Sequence, residues 1–344
     1  MYRNLKRQGR LAGPIPGWVI GSVVLFAASW MLVNGANAQS AGTALDVLQI
    51  RPNFYMIAAA GSNIAVQTGG DGTILVDAGT DGTAESVAAA IKKLTNEPVR
   101  YIFNTGADTE HVSGNAKLSK AGRNIVAMGP EPLGGEGARD LTNNFAATVM
   151  STETALLRMS APTGKVAPFP SDAWPTETFT EKRKTMYFNH EGIELLRQSA
   201  HSDADVIVFF RASDVLAVGE IIDSNHFPVI DLAHGGSIQG EIDALNKIVE
   251  TAVRPIPFAF DEGGTVIIPG RGRLMERIDA VEYRDMIVVI RDVIQDMIKR
   301  GMTLDQIKAA APLKPYEPRY GAKTGPWTTN DFIEAVYKSL TGKK

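Results

Sequence analysis

No cysteine occurs anywhere in the 344 residues. That absence excludes disulfides, thiolate-bound zinc and a cysteine nucleophile together, so any metal must be held by His, Asp or Glu. Histidine is scarce too, at five residues, which limits the imidazoles such a site can draw on. Neither charge sign dominates, with 35 Lys and Arg against 38 Asp and Glu. A chain so balanced has no general attraction for nucleic acid or for an anionic membrane surface, which leaves small molecules and proteins as partners. Apolar material is not lacking: 44% hydrophobic residues are enough for one large core or two smaller ones.

The first residues differ in kind from the rest. Arg3, Lys6, Arg7 and Arg10 precede an uncharged stretch over residues 18–33, and Ala36-Asn37-Ala38 follows. This is the three-part pattern of a secretory signal, which predicts cleavage after Ala38 and an exported, periplasmic or secreted, globular part. The apolar stretch is slightly long for a signal and slightly short for a span, so an uncleaved membrane anchor is the competing reading.

Beyond it, short β-runs at residues 47–50, 54–58, 64–68 and 73–76, broken by turns such as Gly69-Gly70-Asp71-Gly72, predict an antiparallel meander. Helical spacing over residues 83–94 and a buried strand over 99–103 follow. A second set of strands is expected at 185–188, 193–196, 206–210 and 215–218, then helices at 237–253, 283–299 and 331–340. In the second of these helices Met286, Val289, Ile290, Val293 and Met297 form an apolar stripe, which reads as core. The Gly-, Pro-, Ser- and Thr-rich residues 130–176 read as a long surface loop with short helices. Two β-then-α halves imply two sheets packed face to face, with helices outside and functional loops gathered at one edge.

The chemistry concentrates after the strand at 99–103, in Asn104-Thr105-Gly106-Ala107-Asp108-Thr109-Glu110-His111-Val112-Ser113-Gly114-Asn115. A polar loop between a buried strand and a helix is where ligands converge. This run resembles the N-T-H-x-H-x-D-H-x-x-G-N signature of the metallo-β-lactamase superfamily. Further landmarks of that family are matched in order by Val76-Asp77-Ala78-Gly79, Ala200-His201-Ser202-Asp203, Val218-Gly219-Glu220 and Ile268-Pro269-Gly270-Arg271-Gly272. The resemblance implies a four-layer αββα sandwich. It also implies a signal over residues 1–38, a metallo-β-lactamase-like domain over 39–302 and a helical extension over 303–344 packed on it.

Position by position, the resemblance places the first metal's ligands at Gly106, Asp108 and His201, and the second's at Glu110, His111 and Arg271, with Glu220 as the bridge. Only His111 and His201 keep the family's residue type. Gly106 has no ligand atom and Arg271 offers only donors and a fixed positive charge, so Gly106, Glu110 and Arg271 are altered ligand positions. A hydrolytic zinc needs three protein ligands and an open position, which neither inherited triad supplies. Two readings stay open. In one, the cleft is catalytically silent or much altered and binds a small molecule or a partner protein, with no metal required. In the other, Asp108, His111, His201 and Glu220 hold a single divalent ion, Zn, Mn or Fe, for hydrolysis of an ester, lactone, thioester or amide. The carboxylates Asp108, Glu110 and Glu220 are then the candidate catalytic groups. A guanidinium at 271 aimed at Glu220 or Glu110 would stand in for the second metal's charge, though not for its Lewis acidity.

The remaining histidines carry less. His190 falls in a hairpin turn, Asn189-His190-Glu191-Gly192. His226 and His234 flank Phe227-Pro228-Val229-Ile230-Asp231, which resembles the family loop at the cleft mouth, so substrate contact and a structural role are both open. Gly235-Gly236-Ser237 reads either as an anion-holding helix start or as a turn with a Ser cap.

Overall fold

The computed structural model describes residues 45–125, 145–161, 166–255 and 263–342. The expected signal sequence and its cleavage point lie outside the described residues. Among those described, no helix is long and apolar enough to cross a membrane.

Two sheets form the centre. The first has seven strands in sequential order: β1 (Asp46–Arg51), β2 (Phe54–Ala58), β3 (Ile64–Gln67), β4 (Thr73–Val76), β5 (Val99–Phe103), β6 (Thr148–Thr152) and β7 (Glu177–Phe179). Its first four strands pair antiparallel as expected, and β4 to β7 run parallel. The second sheet is ordered β12-β11-β10-β9-β8, from β8 (Arg183–Phe188), β9 (Glu191–Arg197), β10 (Val206–Phe210), β11 (Val215–Ala217) and β12 (Val266–Ile268). It is antiparallel except where β11 meets β12.

Alternation along the strands sorts side chains into layers. Ile74 and Val76 of β4 face the second sheet, where Val206, Val208 and Phe210 meet them, while Leu75 and Ile207 point to the outer faces. Phe54 and Phe210 make an edge contact between the sheets with ring centroids 4.8 Å apart. On the outside of the first sheet lie α1 (Ala84–Leu94), which buries Val87 and Ile91 one turn apart, and α3 (Asn115–Ala121), which buries Leu118. Between them in sequence is the single turn α2 (Thr109–Val112). The second sheet is covered by α5 (Ile238–Thr251), α6 (Arg277–Lys299) and α9 (Thr329–Thr341), with α7 (Leu304–Ala310) and α8 (Glu317–Tyr320) between the last two. The expected four-layer αββα sandwich is therefore the fold.

Three sequence readings need correction. The segment over residues 130–176 is not simply loop: it contains β6, a strand inside the first sheet, and α4 (Glu153–Ser160). The part over 130–144 lies outside the described residues. In α6, which begins six residues earlier than expected, Ile287 and Ile294 join Met286, Ile290 and Met297 in the core, whereas Val289 and Val293 are exposed. The stripe is rotated because the second sheet and α5 meet the helix on its 283–287–290–294 line. The helix expected over residues 331–340 begins two residues earlier as α9, because Thr328 and Asp331 cap it reciprocally, and Glu334 pairs with Lys308 and Lys338.

Candidate functional site

Strand ends and the turns after them bring the polar residues to one edge of the sandwich. Asp77 follows β4 with a left-handed φ of 66°, a conformation that Asp tolerates better than most residues. Its Oδ1 accepts from the Thr105 backbone N–H at 2.8 Å, and its Oδ2 from the Thr105 hydroxyl at 2.7 Å. Oδ2 also accepts from His111 Nδ1, again at 2.7 Å. His111 lies in α2, and its Nε2 donates to Glu220 Oε1 at 2.6 Å. Asn104 and Asn115, the flanks of the sequence signature, hydrogen-bond each other through both amides at 3.1 and 2.8 Å and hold the loop to α3. Glu220 follows Gly219, where a Cβ would stand 2.3 Å from the Thr105 hydroxyl; only glycine lets these turns approach.

Both nitrogens of the fully buried His111 thus face carboxylates, and the ring is an imidazolium. Burial opposes its charge, but Asp77 and then Glu220 outweigh it and raise the pKa well above the usual value. Burial likewise pushes Glu220 up, and His111 followed by Arg271 brings it below the ordinary range. Arg271 completes the chain. Its Nη2 lies 3.1 Å from Glu220 Oε1 and 3.8 Å from Glu110 Oε1, so the guanidinium faces the carboxylates rather than solvent. A backbone bridge to Asp223 and a hydrogen bond from Ser224 N to Arg271 O fix the turn that carries it.

Asp108 and His201 form a second pair. His201 Nδ1 donates to the Val229 carbonyl at 2.9 Å, and Nε2 lies 3.3 Å from Asp108 Oδ2. The two form an ion pair at this distance, and neither buried atom has another hydrogen-bond partner among the described residues. Burial disfavours the His201 cation, yet Asp108 and then Asp205 overcome it and raise the pKa to about 10. For Asp108 burial again acts upward, and His201, His111 and Arg158 take it down to about 2. Asp205, fully buried, anchors the loop by accepting from the Ala200 and Ser202 N–H groups and the Ser202 hydroxyl.

The expected site residues therefore separate into the chain Asp77–His111–Glu220–Arg271, with Glu110 at its rim, and the pair Asp108–His201. His226 sits beside Asp223 at 3.1 Å and His234 beside Asp231 at 2.5 Å, both half-exposed. Neither lines the cavity of about 470 Å³ that opens from Asp108 and His201 toward α9. Ser237 caps α5 by accepting from Gly240 N, so the glycines before it serve a turn. Sequence reasoning missed Asp77 as a site residue, although it stood in the Val76-Asp77-Ala78-Gly79 landmark. It also missed Trp327, a cavity residue whose place in a C-terminal loop gave no signal.

The donors do not fit the metal centre that the resemblance implies. His111 turns Nε2 onto Glu220 Oε1 at 2.6 Å and is held through Nδ1 by Asp77, so two of the inherited ligand groups face each other. Arg271 places a cation beside Glu220, and position 106 has no side chain to contribute. Asp108 and His201 supply two ligand atoms where a hydrolytic zinc takes three from the protein. Among the described residues, no group of three or more His, Asp or Glu is disposed to hold an ion.

Comparison with known proteins agrees with this architecture. The fold is similar to that of the stereoselective inverting sec-alkylsulfatase Pisa1 from Pseudomonas sp., with a TM-score of 0.58 and 13% identity over 87% of this chain. A double mutant of the same sulfatase gives 0.60, also at 13% identity and 87% coverage. This chain spans about half the length of those sulfatase structures, 51% in each case. A metallo-beta-lactamase from Pontibacter korlensis is 15% identical over 71% of this chain and 99% of its own, with a TM-score of 0.49. The sequence itself matches the metallo-beta-lactamase superfamily over residues 58–258. With more than half of its length so matched, the chain belongs to the metallo-beta-lactamase superfamily.

Proposed function

We propose that this protein is an exported member of the superfamily that binds a small molecule in its cleft without the standard dinuclear zinc chemistry. The observation that carries the reading is the engagement of His111 by Asp77 and Glu220 at 2.7 and 2.6 Å, with Arg271 3.1 Å from Glu220. The protein's own cations occupy the place where a second metal would neutralise carboxylates. A guanidinium supplies charge and directed hydrogen bonds, but it neither polarises a carbonyl as a Lewis acid nor lowers the pKa of a bound water. Export rests on the sequence pattern before Ala38.

Elemental analysis of purified protein, paired with melting curves before and after chelator, tests this. The expected result is metal well below one equivalent and an unchanged melting temperature. A resident ion at a hundred times its dissociation constant would add about 2.7 kcal/mol of stability, so chelation would lower the midpoint by several degrees. Stoichiometric metal with that loss overturns the proposal.

One observation favours a second reading. Asp108 Oδ2 and His201 Nε2 face each other at 3.3 Å with no other partner among the described residues, as two ligands of a single ion would be. A single-metal hydrolase of an ester, lactone, thioester or amide would use that pair, with solvent or substrate completing the shell. Stoichiometric metal lost in Asp108→Ala or His201→Ala would select it.

A further inference from the structure

One turn holds His201 by both its side chain and its main chain. His201 Nδ1 donates to the Val229 carbonyl at 2.9 Å, and the His201 carbonyl accepts from Asp231 N at 2.9 Å. That turn starts at Phe227, a buried ring on a stretch without strand or helix. Its support comes from residues far along the chain. Phe332 of α9 stacks on the Phe227 ring at 5.0 Å with the planes 8° apart, and the Tyr320 ring of α8 lies 6.0 Å from it. The Phe227 N–H donates to the Tyr320 carbonyl at 3.1 Å, and the Tyr283 hydroxyl to the His226 carbonyl at 3.2 Å. Tyr283, Tyr320 and Phe332 all lie outside the residues matched to the superfamily.

We propose that Phe332 and Tyr320 of the C-terminal extension are positioning residues for the cleft: by clamping Phe227 they set the Val229 carbonyl, and so the orientation of the His201 ring. The link between the clamp and the carbonyl is short and stiff. Only Pro228 separates Phe227 from Val229; its ring fixes its own φ and confines Phe227, the residue before it, to extended conformations. A displaced Phe227 therefore carries Val229 with it. At the other end, an imidazole is loosely restrained about its outer side-chain bond, and the partner of one ring nitrogen decides where the other points. With Nδ1 held by Val229, Nε2 is directed at Asp108. The same helix also borders the cleft. Asp331, Glu334 and Lys338 of α9 line the 470 Å³ cavity together with Val229 and Ile230, so a shift of α9 would change that wall and the support of His201 at once.

NMR of the full chain with nitrogen-15 histidine tests the proposal, because a buried, hydrogen-bonded ring N–H exchanges slowly with water and gives its own resonance. The His201 Nδ1–H signal is identified by its loss in His201→Gln. The quantity to measure is its exchange rate relative to the ring N–H protons of His111, which Asp77 and Glu220 hold elsewhere in the site. General destabilisation raises both rates together and leaves their ratio unmoved. Phe332→Leu keeps an apolar side chain but removes the stacked ring, and should raise the ratio at least about tenfold by local opening of the turn. Tyr320→Leu, milder because it leaves the carbonyl that Phe227 uses, should raise it by a smaller factor and serves if Phe332→Leu does not fold. Phe54→Leu removes a buried ring from the Phe54–Phe210 contact between the sheets and should leave the ratio unchanged. A ratio unchanged in the folded clamp variants, or raised as much by Phe54→Leu, overturns the assignment. The measurement reads neither metal content nor ligand binding, so its failure is distinct from failure of the proposed function.

Discussion

His111 gives both of its ring hydrogens to buried carboxylates, whereas Arg271 approaches the same group of anions from a position 35% open to solvent. The two cations should therefore differ in what their loss costs. Glu220→Ala leaves the buried His111 Nε2–H without an acceptor while Asp77 still pairs with Nδ1, a loss of about 1 to 3 kcal/mol. Arg271→Ala removes a partly screened charge and should cost under about 1 kcal/mol. Urea denaturation of both variants compares them, and equal losses would show that the chain is not organised around His111. A second buried group gives a pH signature. The Glu241 carboxyl on α5 has no hydrogen-bond partner among the described residues, and burial, then Asp205, raises its pKa well above 4.5. Below about pH 4.5 it is protonated folded or unfolded; above that value the unfolded chain gains by ionising and the folded one does not, so stability falls as pH rises. Glu241→Gln should remove this loss, giving a stability advantage near zero at pH 4 that widens toward pH 8. An advantage constant with pH would mean that Glu241 is ionised in the fold. At this scale the sequence was legible where the chain keeps its polar run together: Asp108, Glu110 and His111 lie within one turn. Asp77 was harder to assign because a carboxylate after a strand does not announce which side chain it will meet.

Among the elements, legibility followed apolar content. Strands β2, β4, β5 and β10 are nearly continuous apolar runs and were read with their bounds intact. Strand β6, Thr-Val-Met-Ser-Thr, escaped because its buried hydroxyls look like loop chemistry. Their partners explain the burial: Ser151 donates to the Asn104 carbonyl, and Thr152 caps α4 by accepting from Ala155 N. The C-terminal helix α9 raises the question whether it is an appendage. Its Phe332 is fully buried and stacks on Phe227 with centroids 5.0 Å apart, within the core that also holds Leu245, Tyr283 and Ile290. Phe332→Ala should thus destabilise the entire domain by about 3 to 5 kcal/mol in one cooperative transition. A separate early transition, with the main midpoint unmoved, would identify α9 as an independent unit.

For the molecule as a whole, the shifted groups oppose one another across the pH scale. His201, raised from 6.5 to about 10, adds stability that is complete below pH 6.5 and is lost as pH climbs toward 10, and His111 acts in the same direction. Asp108, lowered from 3.8 to about 2, adds stability that is complete above 3.8 and is lost as pH falls toward 2; Glu220 acts likewise below 4.5. Glu241 and Asp205, both raised by burial, add losses as pH rises above about 4.5 and 3.8, so the urea midpoint should peak near pH 4.5, and a maximum at pH 8 or above would mean that the imidazoles are neutral in the fold. The glycine at 106 carries a different consequence. A Cβ built there meets only Asp108 Oδ2, at 3.3 Å, so the backbone leaves room for a larger side chain. Gly106→His alone would add an imidazole to an acid–base pair, and Arg271→His alone would leave His111 clamped between its carboxylates; neither step should raise zinc uptake. The triple change Gly106→His, Asp108→His and Arg271→His should raise it, since it rebuilds one three-imidazole site and removes the competing cation from the other. Zinc affinity measured across the single, double and triple variants would then rise abruptly instead of in steps, which makes the two chemistries of this scaffold neighbouring peaks separated by unprofitable intermediates.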